Sequence, residues 1–462
     1  MMMQLSRFAA MLAAALALTA GHAVDAASPW SHPDANVLLV GFDAVRMRSM
    51  SLYGHSRPTT PRLEAFARRA IVFHQAISPA AWTLPATMSV FTGLWPSLHG
   101  VINKNLLLGN KMVPSRLNPA IETFPQVLAR HGYTLGAFTG DAGVKASFGY
   151  GAGFDTYLDD LRFGGFDHSV PPALDWLEKH KSRKFFVFLH GYDAHGQYDP
   201  PAGYSRRYAP SYKGPMKGGK QEQGRLREAG LDVRRLGAVT DRPSLPDVKP
   251  ADFAFHEALY DEKIEDADKR FGDFLDRFEK MGLLEKTIVV VFADHGEEFG
   301  EHGYIDHGPT LYDEMVRVPL LIRFPGQKTR VDIRDQVRTL DAFPTVLDAL
   351  GIRTEKIANG VSLLPAIRGE KLDLPAFSET DYRHITHKRS IRTPRHKLIV
   401  TLETGARELY DLEKDPLEKT NIAESAGPVA YELEQRLFEW MSKTNQHPDS
   451  FRDRIEPFIM EY

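Results

Sequence analysis

Cysteine is absent from this sequence, which excludes disulfide bonds and any chemistry that needs a thiol. A chain of 462 residues can bury a large apolar core, so it does not depend on covalent crosslinks to fold. A surplus of one charge is absent as well, since 57 Lys and Arg stand against 60 Asp and Glu. Proteins that bind a nucleic-acid backbone usually have a marked basic excess, so we expect no nucleic-acid partner. A small anionic substrate needs only a few local charges and is not excluded.

Long apolar runs are scarce, and the one near the N-terminus extends from Phe8 to Ala20. A weakly basic stretch precedes it and small residues around Ala26 follow it, a pattern typical of a secretory signal peptide. An uncleaved membrane anchor is the alternative, but a bilayer span needs roughly 20 apolar residues. We therefore predict that residues 1–26 are a cleaved signal peptide and that the mature chain has no membrane span. The protein is then exported, to the periplasm or the medium.

Through most of the chain, short apolar runs alternate with amphipathic helical patterns. The predicted strands have the continuous apolar character of a sheet covered on both faces, and they are Asn36–Phe42, Tyr133–Phe138, Lys184–Leu189, Thr287–Ala293 and Pro319–Phe324. The predicted helices are Pro61–Ala70, Ile121–His131, Pro172–Lys181, Phe253–Met281 and Leu340–Leu350. This alternation indicates an α/β fold with a mostly parallel sheet and helices on both sides.

Two further segments have different patterns. Tyr204–Lys249 is rich in Gly, Pro, Lys and Arg without clear periodicity, and it is either an excursion that shapes the substrate entrance or a loop without a role. From about Pro375 onward, short strand patterns followed by a helix predict a small antiparallel subdomain. We therefore expect a catalytic domain over residues 27–374 and a C-terminal α+β subdomain over residues 375–462.

Polar side chains stand where three of the predicted strands end. Asp43 follows the first strand, the segment 190–195 follows KFFVFL, and Asp294 and His295 follow TIVVVFA. Ligands bind outside the carboxyl ends of parallel strands, so these side chains are expected to meet in one crevice. Carboxylates together with imidazole are suitable ligands for a divalent cation.

Thr83 begins a helical run within the stretch SPAAWTLPATMSVFTGLWPSLHG. Backbone N–H groups at a helix start suit an anionic phosphoryl or sulfuryl group, although a threonine in this place can also serve only as a helix cap. A cation beside Thr83 would make its hydroxyl more acidic and stabilise the charge that develops on the transferred group. The presence of Asp43 and of the rarer pattern Asp294-His295-Gly-Glu favours the catalytic interpretation.

Five segments in order resemble the sulfatase-like branch of the alkaline phosphatase superfamily. They are GFDAVRMRSMSLYGHSRPTTPRLEAFA, SPAAWTLPATMSVFTGLWPSLHG, HGYDAHGQYDPP, FADHGEEFGEHGYIDHGPTLYDEMVRVPLLIRFPG and ELYDLEKDPLEKTNIAE, which together extend over nearly the whole mature chain. The resemblance implies a three-layer αβα alkaline phosphatase-like domain. It also implies that Asp43, Asp294 and His295 are metal ligands and that Thr83 is a nucleophile that touches the metal.

The same resemblance implies roles for four more residues. Arg46 is expected to orient Asp43, and His195 to contact the transferred anion or to protonate the leaving group. His307 stands where many sulfatases have a lysine. Phosphodiesterase relatives use an Asp-His-His set for a second metal, which Asp193, His195 and His307 could form here; alternatively, Asp193 only orients His195 by a hydrogen bond.

The sequence departs from true sulfatases at three places. Sulfatases have Cys or Ser at the Thr83 position, which is converted to formylglycine, and threonine is not a substrate for that conversion. They also have Ser-Arg or Ala-Arg after the following proline, where this chain has Ala86-Thr87. Ala44 replaces a second acidic ligand, which weakens the case for calcium and favours zinc or manganese.

Threonine nucleophiles occur in superfamily members that act on phosphodiesters and phosphonate esters. The resemblance therefore favours a metal-dependent hydrolase of phosphodiester, phosphonate or phosphate esters. The alternatives are a sulfuric ester hydrolase that works without formylglycine, a phosphoryl transferase acting on envelope lipids or glycans, and an inactive ligand-binding protein of the same fold. The substrate, the number of metals and the oligomeric state are not predicted.

Overall fold

The computed structural model describes residues 29–108, 111–201, 203–204, 206–235, 248–354, 359–444 and 446. The predicted signal peptide and the end of the C-terminal subdomain lie outside the described residues. In chain order the strands are β1 (Asn36–Phe42), β2 (Ile71–Ile77), β3 (Asn105–Leu108), β4 (Lys111–Pro114), β5 (Thr134–Phe138), β6 (Thr156–Leu158), β7 (Phe185–Gly191), β8 (Thr287–Ala293), β9 (Glu298–Phe299), β10 (Ile305–Asp306), β11 (Arg317–Arg323), β12 (Val331–Arg338), β13 (Ala376–Thr380), β14 (Lys388–Arg392), β15 (His396–Thr401) and β16 (Arg407–Asp411).

The helices cover the sheet and close its ends. They are α1 (Pro61–Ala67), α2 (Thr83–Thr92), α3 (Pro96–His99), α4 (Phe124–Arg130), α5 (Phe166–His180), α6 (Lys220–Arg235), α7 (Pro250–Lys280), α8 (Asp313–Val316), α9 (Ala342–Ala349), α10 (Leu364–Ile367) and α11 (Gly427–Lys443). In the described ranges, none of the helices has the length and apolar character that a membrane crossing requires.

Eight strands form the central sheet in the order β12-β2-β11-β8-β1-β7-β5-β6. Strand β1 lies parallel to both β7 and β8, whereas β11 runs antiparallel to its neighbours β8 and β2. The prediction of a mostly parallel sheet is therefore confirmed. The five predicted strands all exist, and β1 and β8 have the predicted bounds.

Both faces of β1 are buried, which confirms the three-layer arrangement. Val37 and Leu39 pack into one core with residues of α2 and α4, whereas Leu38 and Val40 pack into a second core with residues of α1 and α7. A strand that is apolar on both faces has little freedom to change register without exposing one set of side chains. The sheet is therefore a rigid base for the residues at its carboxyl edge.

The segment Tyr204–Lys249 contains a helix that its composition did not predict. Helix α6 lies inside it, and residues 236–247 lie outside the described part of the chain. Among the described side chains of this helix, the apolar residues that give it a buried side are few, since Leu226 and the partly buried Ala229 are the ones that pack into the core below. A short apolar stripe in a charged segment has almost no periodic signal.

Strands β13 to β16 form a separate antiparallel sheet, with α11 packed against it, as predicted for the C-terminal region. A buried ion cluster ties this sheet to the main domain. Asp313, at the start of α8, accepts hydrogen bonds from Arg392 of β14 at 2.9 Å and from Lys397 of β15 at 3.0 Å. Burial alone would raise the pKa of Asp313, but Arg392 and Lys397 hold it well below its ordinary value.

We expect Asp313→Asn to lower the free energy of unfolding by about 3 kcal/mol at neutral pH, because it leaves Arg392 without its carboxylate and Lys397 with Glu418 alone, in a buried place. A depressed carboxyl pKa contributes stability above the unfolded pKa, and that contribution is lost as the pH falls. The difference from the wild type should therefore shrink on acidification, as measured by urea unfolding at several pH values. The exposed pair Arg62–Asp276 offers a control, since Asp276→Asn should cost less than about 1 kcal/mol.

Candidate active site

Three adjacent parallel strands deliver polar side chains to one edge of the sheet. Asp43 follows β1, His190 lies near the end of β7, and Asp294 and His295 follow β8. Because β8, β1 and β7 are neighbours with their carboxyl ends at the same edge, these side chains converge. Each of the four is at most 1% exposed, so their charges are shielded from water.

Thr83 is the first residue of α2, as predicted, and its hydroxyl faces this group. Its Oγ1 donates a hydrogen bond to Asp43 Oδ2 at 3.1 Å and lies 3.3 Å from His295 Nε2. The side chain is 5% exposed and lines a cleft that opens to solvent. An alcohol at a helix start that opens to a cleft lies beside backbone N–H groups that suit an anion.

Buried polar atoms without hydrogen-bond partners mark a place for a cation. Within the described chain, Asp43 Oδ1, Asp294 Oδ2 and both ring nitrogens of His190 have no partner. Ligand atoms of these three residues lie within 4.8 Å of one another. Orphaned buried oxygen and nitrogen atoms are costly unless a ligand engages them, so this donor set fits a divalent cation.

The protonation of these groups also suits a cation. Burial lowers the pKa of His190 to about 3 and that of His295 to about 4, which keeps both imidazoles neutral and able to coordinate. Burial, followed by repulsion from Asp294, raises the pKa of Asp43 well above its ordinary value. Two carboxylates with partly unmet negative charge thus face each other, and a cation would relieve their repulsion.

His190 is the member of this group that the sequence did not single out as a ligand. It stands within the segment 190–195 that was expected at the crevice, but at the strand rather than in the loop. A Cβ placed on Gly41 of β1 would lie 2.6 Å from the His190 ring, so only a glycine there leaves room for the imidazole. The sequence signal that could have identified His190 is the combination of Gly41 near the end of one predicted strand with a histidine directly after the end of another.

Backbone strain marks the start of the same site. Ala44, the residue in place of a second acidic ligand, has φ of 60°, a conformation that non-glycine residues seldom adopt. Its N–H donates to Asp294 Oδ1 at 3.3 Å, and its carbonyl accepts from the Tyr260 hydroxyl. The strain is held in place by these bonds and turns Asp43 towards the crevice.

His307 lies between the cation group and the cleft. Its ring centroid is 4.4 Å from that of His295 and 5.0 Å from that of His195. Its Nδ1 lies 3.1 Å from Glu297 Oε1 and 3.0 Å from Asp306 Oδ1, which leaves Nε2 for a substrate. The carboxylates Glu297 and Asp306 were not predicted as site residues.

His195 lines the same cleft, as the sequence led us to expect. Its Nδ1 hydrogen-bonds the Gly196 carbonyl at 3.0 Å, and its ring lies 4.5 Å from that of Phe163. Burial, and secondly His307, lowers the pKa of His195 well below its ordinary value, so the ring is neutral. A neutral imidazole at this place can accept a proton or polarise a water molecule.

Asp193 does not join His195 and His307, contrary to the set expected for a second metal. Its Oδ2 accepts a hydrogen bond from the Phe166 N–H at 2.7 Å, and Arg270 lies 3.9 Å from its Oδ1. The carboxylate therefore fastens the start of α5. In the described ranges, the buried group that includes His307 contains Glu297 and Asp306 instead.

Arg46 does not orient Asp43 in the way the sequence led us to expect. Its guanidinium donates to Glu301 Oε1 at 2.6 Å, to the Glu297 carbonyl at 3.2 Å, and to Glu257 of α7. The side chain is fully buried, and two of these three partners belong to the loop that follows His295. Arg46 therefore positions that loop, including Glu297, against α7.

The cleft above these residues has a volume of about 870 Å³. Thr83, His195 and His307 lie in its wall, together with Gln223 and Arg227 of α6. Gln223 Nε2 donates to Asp306 Oδ2 at 3.2 Å, so the helix from the unassigned segment reaches the site directly. Of the two interpretations of that segment, the excursion that shapes the entrance agrees with the described part of it.

Gly143 leaves the space that the Thr83 side chain occupies. A Cβ on Gly143 would lie 2.7 Å from Thr83 Cβ and 2.8 Å from its methyl group. We expect Gly143→Ala to push the hydroxyl out of line and to lower kcat by about tenfold or more, since small misplacements of reacting groups are costly. The matched control is Gly219→Ala, whose Cβ would have no neighbour within 4 Å, and steady-state kinetics compares them. Equal kcat in both variants would contradict a fixed position for Thr83.

The mostly parallel sheet with helices on both sides is an alkaline phosphatase-like fold. At the carboxyl edge of this sheet, a hydroxyl at a helix start lies beside two carboxylates and two imidazoles, and such a site is suited to anionic esters. Comparison with known proteins agrees. The family model described as Sulfatase matches residues 35–352, and the model described as N-sulphoglucosamine sulphohydrolase, C-terminal, matches residues 300–446. The chain belongs to the sulfatase family and is an ester hydrolase.

One relative and two solved structures are distant in sequence but extend over most of the chain. A Delta 4,5-hexuronate-2-O-sulfatase of Bacteroides thetaiotaomicron is 25% identical over 447 residues, which cover 87% of each protein. A solved structure in complex with its substrate D-glucosamine-2-N,6-O-disulfate has a TM-score of 0.73 at 21% identity and covers 90% of this chain and 99% of that one. The phosphonate monoester hydrolase of Agrobacterium radiobacter has a TM-score of 0.71 at 22% identity, covering 89% and 96%. The two structures show the fold.

Proposed function

We propose that the protein is a metal-dependent hydrolase of phosphodiester, phosphonate or phosphate esters, with Thr83 as the nucleophile. One observation carries the proposal: the Thr83 hydroxyl bonds Asp43, lies beside His295 and lines the cleft. Threonine cannot supply the formylglycine on which true sulfatases depend, so an unmodified alcohol must do the chemistry.

The side chains support a two-step reaction. Thr83 Oγ1 attacks phosphorus as its hydroxyl proton passes towards Asp43, and the bond from phosphorus to the leaving alcohol breaks. The leaving oxygen takes its proton from a water molecule that neutral His195 or His307 polarises at the wall of the cleft. The hydroxide left from that water then attacks the phosphorylated threonine, and the Thr83 oxygen regains its proton from Asp43, which restores the hydroxyl and releases the acid.

Asp43, Thr83, Asp294, His295 and His190 would hold the cation. When bound, the cation would make the Thr83 hydroxyl more acidic and neutralise charge on the transferred group. Two imidazoles among the donors suit zinc or manganese better than calcium, which prefers six to eight oxygen ligands. Arg46 supports this arrangement by positioning the loop after His295.

The test is a panel of substrates and metals. The purified protein is stripped and reloaded separately with zinc, manganese and calcium, and each form is assayed with aryl phosphodiester, phosphonate monoester, phosphate monoester and sulfate ester. We expect phosphonate or diester turnover to dominate in the zinc or manganese form. Dominant sulfate turnover would refute the phosphoryl preference, and the absence of turnover in every form would favour an inactive binding protein.

A sulfuric ester hydrolase that works without formylglycine is the second candidate. It is favoured by the similarity to a Delta 4,5-hexuronate-2-O-sulfatase, which extends over 87% of this chain. Such an enzyme would use the same side chains, so only substrate preference separates the two functions. The same panel decides between them.

We also propose that residues 1–26 direct export and are then removed. Their composition supports this, with an apolar run followed by small residues. N-terminal sequencing of the protein recovered from the periplasm or medium should begin at about Ala27. An intact N-terminus in the membrane fraction would indicate the uncleaved anchor instead.

A further inference from the structure

One rim of the cleft carries three exposed cations from separate parts of the chain. Lys104 directly precedes β3, Arg162 lies in the loop between β6 and α5, and Arg383 lies in a short helical turn between β13 and β14. All three line the cleft that contains Thr83. Desolvation in the cleft, together with the charges of Arg162 and Arg383, lowers the pKa of Lys104, so Lys104 lies within reach of the charge of each arginine.

Among the described residues, one of these three cations has a carboxylate of the protein as its ion-pair partner. In the described part of the chain, neither Lys104 nor Arg162 forms an ion pair, and Arg383 has only an exposed pair with Glu228 at 3.0 Å. An exposed pair of this kind contributes little and exchanges readily. The cluster therefore has positive charge available for a ligand.

The segments that carry two of the cations are fastened to each other. Asn103 Nδ2 donates to the Asp381 carbonyl at 2.6 Å, and the Arg383 N–H donates to Asn103 Oδ1 at 2.9 Å. His384 Nε2 lies 3.0 Å from the Asn105 carbonyl. Three hydrogen bonds thus hold together the backbone on either side of Lys104 and Arg383, so the cations are placed before a ligand arrives.

Backbone strain is concentrated at the same rim. Phe163, Arg383 and His384 have φ values of 59°, 53° and 57°, in the left-handed region that non-glycine residues seldom adopt. Such conformations persist where surrounding bonds hold them, and they are common at ligand-binding sites.

The indole N–H of Trp82 and two aromatic side chains also belong to this rim. Trp82 is 7% exposed and lines the cleft, and its Nε1 has no acceptor within the described residues. Its ring packs edge-on against Tyr382, with centroids 5.5 Å apart. Phe163 is 37% exposed, an unusual state for a phenylalanine, and it also lines the cleft. A flat or cyclic group next to the reacting ester can therefore rest on an apolar surface while an anion on that group meets the cations.

We propose that Lys104, Arg162, Arg383 and the Trp82 indole form a second anion subsite, which binds an acidic group carried by the leaving alcohol of the substrate. The proposal rests on the proposed ester hydrolysis at Thr83 and specifies its substrate class: esters whose alcohol part is cyclic and carries a carboxylate, sulfonate, sulfate or phosphate. Charge-assisted hydrogen bonds to guanidinium groups favour such acids over neutral groups of the same shape.

The experiment compares esters that differ only in that charge. The leaving alcohols are 3-carboxyphenol and its neutral isostere 3-carbamoylphenol, with 3-sulfophenol as a second anion, each prepared as a phenylphosphonate and as a sulfate. We expect kcat/KM for the carboxylate to exceed that for the carboxamide by about tenfold or more in the wild type. Arg162→Met, Arg383→Met and Lys104→Met should each reduce this ratio towards one while turnover of the carboxamide persists, and Arg162→Lys should retain part of it.

Controls separate this inference from the function on which it rests. Arg436→Met, which removes an exposed arginine of α11, should leave the ratio unchanged. Calorimetric binding of the same pair to the Thr83→Ala protein measures the ratio without turnover, so failure of the phosphoryl chemistry does not hide the subsite. Equal affinity and equal kcat/KM for the charged and neutral esters would overturn the subsite, as would a preference that survives in all three methionine variants.

Discussion

Thr83→Ala should abolish turnover, with kcat lowered by at least about 10³-fold, because the hydroxyl proposed to attack the ester is removed. The fold should persist, since the side chain contributes one hydrogen bond, to Asp43, worth about 1 kcal/mol. Steady-state kinetics on the best substrate of the panel measures the loss, and circular dichroism checks the fold. Intact-mass analysis of the wild type during turnover should reveal a covalent adduct at Thr83.

The same helix provides the matched control. Thr92 is the last residue of α2, and its hydroxyl donates to the Met88 carbonyl at 2.8 Å, within the helix itself. Thr92→Ala should therefore keep kcat close to the wild-type value, and Thr83→Ser should retain activity because it keeps the hydroxyl. If Thr83→Ala turned over substrate at a rate close to that of Thr92→Ala, water would have to be the nucleophile and the proposal would fail.

The centre of the fold could be predicted because its strands are short, continuous apolar runs. Strands β1 and β8 are buried on both faces, and after the first residue their sequences NVLLVGF and TIVVVFA are apolar without a helical periodicity. Strand β12, VDIRDQVR, was missed because it lies at the sheet edge and carries charged residues. Pairing with β2, rather than its own composition, makes that segment a strand.

Residues at strand ends were predicted better than residues whose role depends on distant partners. Asp43, Asp294 and His295 follow directly from the strand pattern, and the structure brings them to Thr83. The place of Asp193 could not be predicted, because it is set by the Phe166 N–H, 27 positions earlier in the chain.

The roles of Arg46 and Asp306 also depend on distant partners and could not be predicted from the local sequence. Arg46 finds its partners at Glu257 and Glu301, more than 200 positions away, and local spacing contains no sign of them. Asp306 has φ of 90°, and its carboxylate meets Gln223 from a helix that composition did not indicate. Sequence spacing identifies ligands that follow the ends of neighbouring strands. The side chains that position those ligands are set by tertiary contacts, which local spacing does not show.

Asp294→Asn should remove the bound cation and, with it, nearly all activity. The amide can keep the bonds that Asp294 Oδ1 accepts from the Ala44 and His295 N–H groups, at 3.3 and 2.9 Å. It replaces the unpartnered Oδ2 with a donor that faces the Asp43 carboxylate. Metal analysis of the purified variant should show loss of the ion, while in the wild type we expect one ion per chain.

The same substitution should have opposite effects on stability with and without metal. In the stripped wild type, Asp43 and Asp294 repel each other at a buried place, so Asp294→Asn should raise the melting temperature of the stripped protein. A cation at 100 times its Kd stabilises the wild type by about 2.7 kcal/mol, and the variant should lose that gain. Glu314→Gln is a control in the separate buried group of Glu298, His302 and Glu314. This variant should keep the ion, since the Glu314 carboxylate already bonds His302. Loss of the ion in Glu314→Gln with retention in Asp294→Asn would move the metal centre away from Thr83 and leave the threonine without its activating charge.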